Sequence, residues 1–178
     1  MKIVVISDTH MPKKAKSLPD RVVTELKQSD LIIHAGDWQT IEVYEDLLQY
    51  GEVKGVFGNV DSKELQALLP EKTIVEIEGY KIGVVHGHGK RWTTERRAME
   101  AFSNAPVDCI IFGHSHIPVL KEINGVLLFN PGSCTDKRRQ PQPSFGFITV
   151  FNGLYAEHVF LIRIKYLLMA SRKKSCHV

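Results

Sequence analysis

The chain has 178 residues, 43% hydrophobic and 24% charged, a make-up that excludes a disordered or fibrous chain and fits a packed globular core. Its formal charge of +3 invites a nucleic-acid partner, but residues 161–178 hold five basic side chains (Arg163, Lys165, Arg172, Lys173, Lys174) and no acid, which leaves residues 1–160 at a net −2. A nucleic-acid partner is therefore not expected. Three cysteines, Cys109, Cys134 and Cys176, have no metal-type spacing and suit a reducing compartment, so a cytoplasmic location is expected. No stretch approaches the roughly 18 apolar residues of a membrane span, and none is expected.

In chain order, Ile3 to Ile6 is a β-branched run suited to a strand buried on both faces. Pro19 opens a helix with Val22, Val23 and Leu26 on one side, and Leu31-Ile32-Ile33 is the next buried strand. Thr40 caps a second helix that carries Ile41, Tyr44, Leu47 and Leu48 at helical spacing until Gly51. Val53 to Phe57 is a third strand, and Asp61 with Glu64 has capping-box spacing before a short helix stopped by Pro70. The period then changes to two: Thr73–Glu78 and Tyr80–His86 alternate around Gly79 as a hairpin. A helix over Thr94–Phe102 leads to the buried strand Val107–Phe112. Asn124-Gly125 and Asn152-Gly153 between apolar runs predict two more hairpins, since both turn positions need positive φ. A parallel first half and an antiparallel second half predict an α/β fold of two packed sheets with helices outside. One domain is expected over residues 1–160, with a basic tail over 161–178 whose apolar residues from Leu161 onward are numerous enough for part of it to pack.

Chemistry-bearing residues sit at the C-terminal ends of the predicted strands, where α/β sheets place their sites. They are Asp8-Thr9-His10, Gly36-Asp37, Gly58-Asn59-Val60-Asp61, His86-Gly87-His88 and Gly113-His114-Ser115-His116. Any one of them alone reads as a capped turn or a surface histidine. Together they offer carboxylate, amide and imidazole donors in excess of what one four-coordinate ion uses, so two adjacent divalent cations fit better. A pair of cations needs a bridging ligand, and Asp37 is the candidate.

In this order the motifs resemble the calcineurin-like metallophosphoesterase superfamily. Asn130-Pro131-Gly132-Ser133 and the compact length are similar to its small single-domain YfcE-like phosphodiesterase branch. The resemblance covers about residues 1–160. It implies a four-layer αββα sandwich, two mixed sheets face to face with helices outside. It also implies one metal on Asp8, His10 and His116, a second on Asn59, His86 and His114, and Asp37 between them. Two divalent ions are expected, with Mn first and Ni, Zn, Fe or Mg as alternatives. The implied reaction is phosphoester hydrolysis, most simply of a small phosphodiester, otherwise a phosphomonoester, by in-line attack of a hydroxide bridging the metals. Asp37, Asn59 and His86 are then the catalytic residues. His88 falls on no ligand position and joins Arg91 and Arg138 as a candidate for substrate binding, within two basic groups (Lys90, Arg91, Arg96, Arg97 and Lys137, Arg138, Arg139).

One position departs from the family pattern: Val60 stands where many members carry a histidine that assists the leaving group. Asp61, His88 or a bound water are the substitutes, and Asp61 serves equally as a helix cap. Among the remaining residues, His34 and Cys109 read as core, and Trp38 as packing or a pocket wall. Two alternatives remain, an interaction scaffold like the retromer subunit of the same fold, and a nuclease. A homo-oligomer is compatible with either.

Overall fold

The computed structural model describes residues 1–161. The expected tail falls outside them except for Leu161. The chain runs β1 (Lys2–Ile6), α1 (Asp20–Leu26), β2 (Leu31–His34), α2 (Ile41–Leu48), β3 (Val53–Gly55), α3 (Lys63–Leu68), β4 (Lys72–Ile77) and β5 (Tyr80–Val85). It continues through α4 (Thr94–Ala101), β6 (Cys109–Phe112), β7 (Val119–Ile123), β8 (Val126–Asn130), β9 (Ser144–Val150) and β10 (Leu154–Phe160).

Side-chain alternation assigns each central strand to two environments. Ile3 and Val5 of β1, with Leu31 and Ile33 of β2, face Ile82 and Val84 of β5, Cys109 and Ile111 of β6 and Phe129 of β8, forming the core between the sheets. Val4, Ile6 and Ile32 point the other way, onto Val22 and Leu26 of α1, Val43 and Leu47 of α2 and Leu65 of α3. On the far side, Ile110, Phe112 and Leu128 pack against Ala98 of α4 and Phe102. Strands covered on both faces need the continuous apolar runs seen here. The layers are therefore helices, sheet, sheet, helix, the αββα sandwich that was expected.

The first sheet has the order β10-β9-β1-β2-β3 and the second β4-β5-β6-β8-β7. β1, β2 and β3 are parallel. So are β5, β6 and β8, which corrects the expectation of an antiparallel second half. The crossover through α4 forces β5 and β6 into parallel alignment. The β9–β10 hairpin leaves the second half altogether and pairs with β1. Both Asn-Gly hairpins form as expected, with φ of 53° and 78° at Asn124 and Gly125; at the second, Asn152 has φ 50° and Gly153 is nearly extended at 157°. The cap of α3 is not Asp61 but Ser62, whose side chain accepts from the Leu65 N–H. No helix among the described residues is long and apolar enough to cross a membrane.

His34, the last residue of β2, fixes the loops that follow β1 and β2. It is fully buried and stacks on Trp38 with ring centroids 3.7 Å apart. The Gly36 N–H donates to its Nδ1 at 3.1 Å, so the ring proton sits on Nε2, 3.1 Å from the Thr9 hydroxyl. Trp38 is packing, as its indole N–H donates to the Val56 carbonyl at 2.8 Å. Burial holds the His34 pKa well below 6.5, with His86 adding to the effect. Below about pH 6.5 the unfolded chain therefore binds a proton that the folded chain refuses, and stability falls as pH falls. His34→Phe keeps the stacking surface but orphans the Gly36 N–H and takes the ring donor away from the Thr9 hydroxyl. It should cost about 1–3 kcal/mol in urea unfolding near neutral pH and should lose less stability than the wild type between about pH 7 and 5.

Candidate metal centre

Parallel strands aim their C-terminal ends at one edge, and the two packed sheets put both edges together. Asp8 and His10 follow β1, Asp37 follows β2, His86 follows β5, and His114 and His116 follow β6. One ligand-capable atom each from Asp8, His10 and His116 lies within 4.8 Å of the others, and the same holds for Asp37, His86 and His114. Asp37 faces both groups. Its Oδ1 is 3.2 Å from His86 Nε2 and its Oδ2 is 3.6 Å from His10 Nε2. In the first group, His116 Nε2 is 3.3 Å from Asp8 Oδ1 and 3.2 Å from His10 Nε2.

Backbone carbonyls set the imidazole tautomers. His86 Nδ1 donates to the Ala35 carbonyl at 2.8 Å, and His116 Nδ1 donates to the Asp136 carbonyl. A ring whose Nδ1 carries the proton presents a bare Nε2 lone pair, the orientation a metal ligand needs. His86 Nε2 and His114 Nδ1 are both buried without a hydrogen-bond partner. Buried polar atoms are ordinarily paired, and lone pairs converging beside two carboxylates fit a cation.

The electrostatics agree. Asp8 is fully buried, and burial lifts its pKa to about 7, opposed by His86 and aided by Asp37. Burial also works against the charge of Asp37, but His86, whose Nε2 lies 3.2 Å from Oδ1, outweighs it and holds that carboxyl at about 2. His86 is raised against its own burial by Asp37 and Asp8. The pocket thus favours positive charge, and a divalent cation answers the same demand. Burial lowers His114 and His116 to about 4, which keeps both rings neutral and their lone pairs available.

The local backbone is bent to this end. Asp8, His10, Asp37, His114 and His116 all have φ between 47° and 66°, a left-handed conformation that costs a non-glycine residue about 1–2 kcal/mol. Strain concentrated in the candidate ligands is the pattern of a functional site. Gly36, at φ 90°, has no room for a side chain, because a Cβ there would stand 2.8 Å from the His86 ring. Hydrogen bonds hold the frame: Ser7 Oγ donates to Asp8 Oδ2 at 2.7 Å, Ser133 Oγ to the Asp8 carbonyl at 2.8 Å, and Asn130 Nδ2 to the Gly113 carbonyl at 2.9 Å.

Asp61 has a role that capping-box spacing hid. Its carboxylate accepts from Gly58 N at 2.7 Å, Gln39 N at 2.7 Å and Asp37 N at 3.1 Å. It is a brace between the loops after β2 and β3, with both oxygens engaged by donors, and is not placed to hand a proton to a leaving group. Ser7, Asn130 and Ser133 were not singled out by type, although the Asn130–Ser133 segment was.

Of the other candidates, His88 and Arg138 lie beside the centre. Asn59 is exposed between Gly58 and Val60, and the Val60 N–H donates to Asp37 Oδ1 at 3.2 Å. His88 is in neither donor group; its ring lies 5.5 Å from His86 and 6.4 Å from His114, centroid to centroid, and its buried Nδ1 has no partner. Arg91 is exposed and lends its carbonyl to Arg97. The Arg97 guanidinium is spent on its own loop, donating to the carbonyls of Gly87, Arg91 and Trp92, and Arg96 lies 4.5 Å over the Trp92 ring. Lys137 donates to the Gln140 carbonyl. Arg138 lines a cavity of about 430 Å³ beside His10, shared with Lys13, Lys14, Gln39, Val60 and Asp136.

Residues 1–153 match the calcineurin-like phosphoesterase superfamily domain. A probable metallophosphoesterase of Methanocaldococcus jannaschii is 40% identical over 139 residues, 78% of this chain and 70% of its own length. A phosphodiesterase of the same organism is 29% identical over 149 residues, covering 75% and 84%. Among solved structures, zinc-complexed Vps29 of Entamoeba histolytica superposes with a TM-score of 0.73 at 26% identity over 90% of this chain and 99% of that one. The chain belongs to the calcineurin-like phosphoesterase superfamily, and these curated relatives are named as a probable metallophosphoesterase and a phosphodiesterase.

Proposed function

We propose that this protein is a phosphodiesterase working with two divalent cations, one on Asp8, His10 and His116 and the other on Asn59, His86 and His114, with Asp37 between them. The observation that carries the reading is the position of Asp37, whose two oxygens face separate imidazole groups, Oδ1 towards His86 at 3.2 Å and Oδ2 towards His10 at 3.6 Å. A bridging carboxylate needs that division. Two bound cations supply a lowered water pKa and neutralise charge on the phosphate.

This chain's residues do the rest. The Ala35 and Asp136 carbonyls hold His86 and His116 with Nε2 inward. Asp61 holds the backbone of Asp37 and Gly58 in place, and so positions Asn59. Arg138 and His88 stand at the edge, where they meet substrate, with Arg91 further out on the loop after His88. The metal is proposed as Mn, with Ni, Zn, Fe and Mg as alternatives, and the reaction is placed in the cytoplasm. The likeness to Vps29 favours the scaffold as the second reading, but a scaffold has no use for a complete donor set with inward lone pairs.

Metal-stripped protein should regain hydrolysis of bis(p-nitrophenyl) phosphate, and to a lesser extent p-nitrophenyl phosphate, when Mn is added, and elemental analysis should find about two ions per chain. Asp37→Asn keeps the shape but removes the bridging charge; it should lower turnover by at least about 100-fold and halve the metal content. No turnover with any of the metals, together with no bound metal, would sink the enzyme reading in favour of the scaffold. Asp61→Asn touches no proposed ligand atom, yet should weaken metal binding by about 10–100-fold because Asp37 and Asn59 lose their common brace. Unchanged metal titrations in that variant would show that the brace is dispensable.

A further inference from the structure

The cavity of about 430 Å³ beside His10 has a chemistry of its own. A turn closed by the Lys14 N–H on the His10 carbonyl at 2.8 Å brings Lys13 and Lys14 over it. Met11 pairs with Gln39, which fixes that turn against the loop after β2. Arg138 enters from the opposite side, its guanidinium 3.4 Å from the His114 carbonyl. The only acid in the lining is Asp136, and Lys14 lies 3.7 Å from it. That leaves Lys13 and Arg138, neither of which forms an ion pair among the described residues. Two uncommitted cations beside a candidate phosphoester centre call for a second anion. The lining also includes Gln39 and Val60, neither of which has a labile proton to give a leaving group, and Asp61, next to Val60 in the chain, is held by three backbone donors.

An alkoxide leaving group, whose conjugate acid ionises near the ~15.7 of water, needs a proton as the bond breaks. A phosphate leaving group, ionising near ~6, does not. It needs compensation for its charge, which Lys and Arg supply through charge-assisted hydrogen bonds. On the phosphodiesterase reading above, we infer that this cavity takes the leaving phosphate of a phosphoric anhydride, so that the substrate class is a diphosphate diester rather than a dialkyl phosphodiester. In the reaction a water oxygen bonds to one phosphorus while the bond from that phosphorus to the bridging oxygen breaks. The electron pair departs on the second phosphate, facing Lys13 and Arg138, and the water's protons pass to solvent. The products are two phosphomonoesters.

The test compares diadenosine diphosphate with adenylyl adenosine, two adenosines joined by an anhydride or by a simple diester. The diphosphate should have the higher kcat/KM by at least about 100-fold, and that ratio should fall about tenfold or more in Lys13→Gln and in Arg138→Gln, both surface changes. Binding is measured separately by calorimetry on metal-loaded protein. The non-hydrolysable α,β-methylene ADP should bind at least about tenfold tighter than AMP, with the gap closing in the two variants. Equal affinity for the two, or a gap and ratio that survive both substitutions, would overturn the inference. Absence of bis(p-nitrophenyl) phosphate turnover with every metal would instead remove the phosphodiesterase reading, and the binding comparison would still decide whether the cavity holds a second phosphate.

Discussion

Two carboxylates and several imidazole lone pairs meet at the edge shared by the sheets, with too few protons among them to satisfy one another. Asp8 is fully buried with a carboxyl lifted to about 7, while His86 Nε2 and His114 Nδ1 are buried and unpartnered. Buried unpaired polar atoms cost about 1–3 kcal/mol each, and the fold spends its donors on the outer side of the site instead. Ser7 Oγ and the His114 N–H donate to the Asp8 carboxylate, and the Val60 N–H donates to that of Asp37. The inward side is left for positive charge. The left-handed backbone at Asp8, His10, Asp37, His114 and His116 is a further cost of the same convergence, because a side chain leaving a strand end must double back to reach a point between the sheets.

That point is set by the core between the sheets. Asp8, His10 and Asp37 come from the first sheet, and His86, His114 and His116 from the second, and each donor group draws on both, so the spacing of the layers sets the spacing within each group. Ile3, Val5 and Ile33 against Val84, Ile111 and Phe129 fix it. At the edge itself the layers close further, and only small residues allow this. A Cβ on Gly113 would stand 2.8 Å from Asp8 Oδ2, and one on Gly36 equally close to the His86 ring. Packing and chemistry are one constraint here, since a methyl group at either position would push apart the side chains that converge at the centre.

The sequence revealed what depends on periodicity and on strand ends. The run Ile3–Ile6 and the two Asn-Gly hairpins are local patterns that form as expected, and the strand expected over Val107–Phe112 forms from Cys109 onward. What it hid depends on partners distant in the chain. Asp61 with Glu64 has the spacing of a capping box, yet Ser62 beside it takes the cap, and three backbone N–H groups claim the Asp61 carboxylate. No local signal separates those outcomes, because two of the three donors, Asp37 and Gln39, belong to another strand end. The β9–β10 hairpin was legible as a hairpin, but its pairing with β1 was not, since Val4 opposite Phe147 is a contact between the two ends of the fold. Arg97 reads as one more rim cation until its guanidinium is found bound to three carbonyls of its own loop.

Charge shows the same difference between a sum and an arrangement. The net +3 of the chain and the −2 of residues 1–160 are both small, and neither describes what an approaching anion meets. Beyond about 8 Å at physiological salt, opposite charges on the surface largely cancel. Within that distance Lys13, Lys14 and Arg138 ring the cavity against the single acid Asp136, directly beside a centre whose own carboxylates demand cations. An anion is therefore repelled by Asp8 and Asp37 unless positive charge is bound between them, and attracted by the rim in either case. On the proposed function, the rim recruits and orients the ester, and the buried centre admits its phosphate only when its own charge has been met. Selectivity for anionic esters follows from that order of charges, basic outside and acidic within.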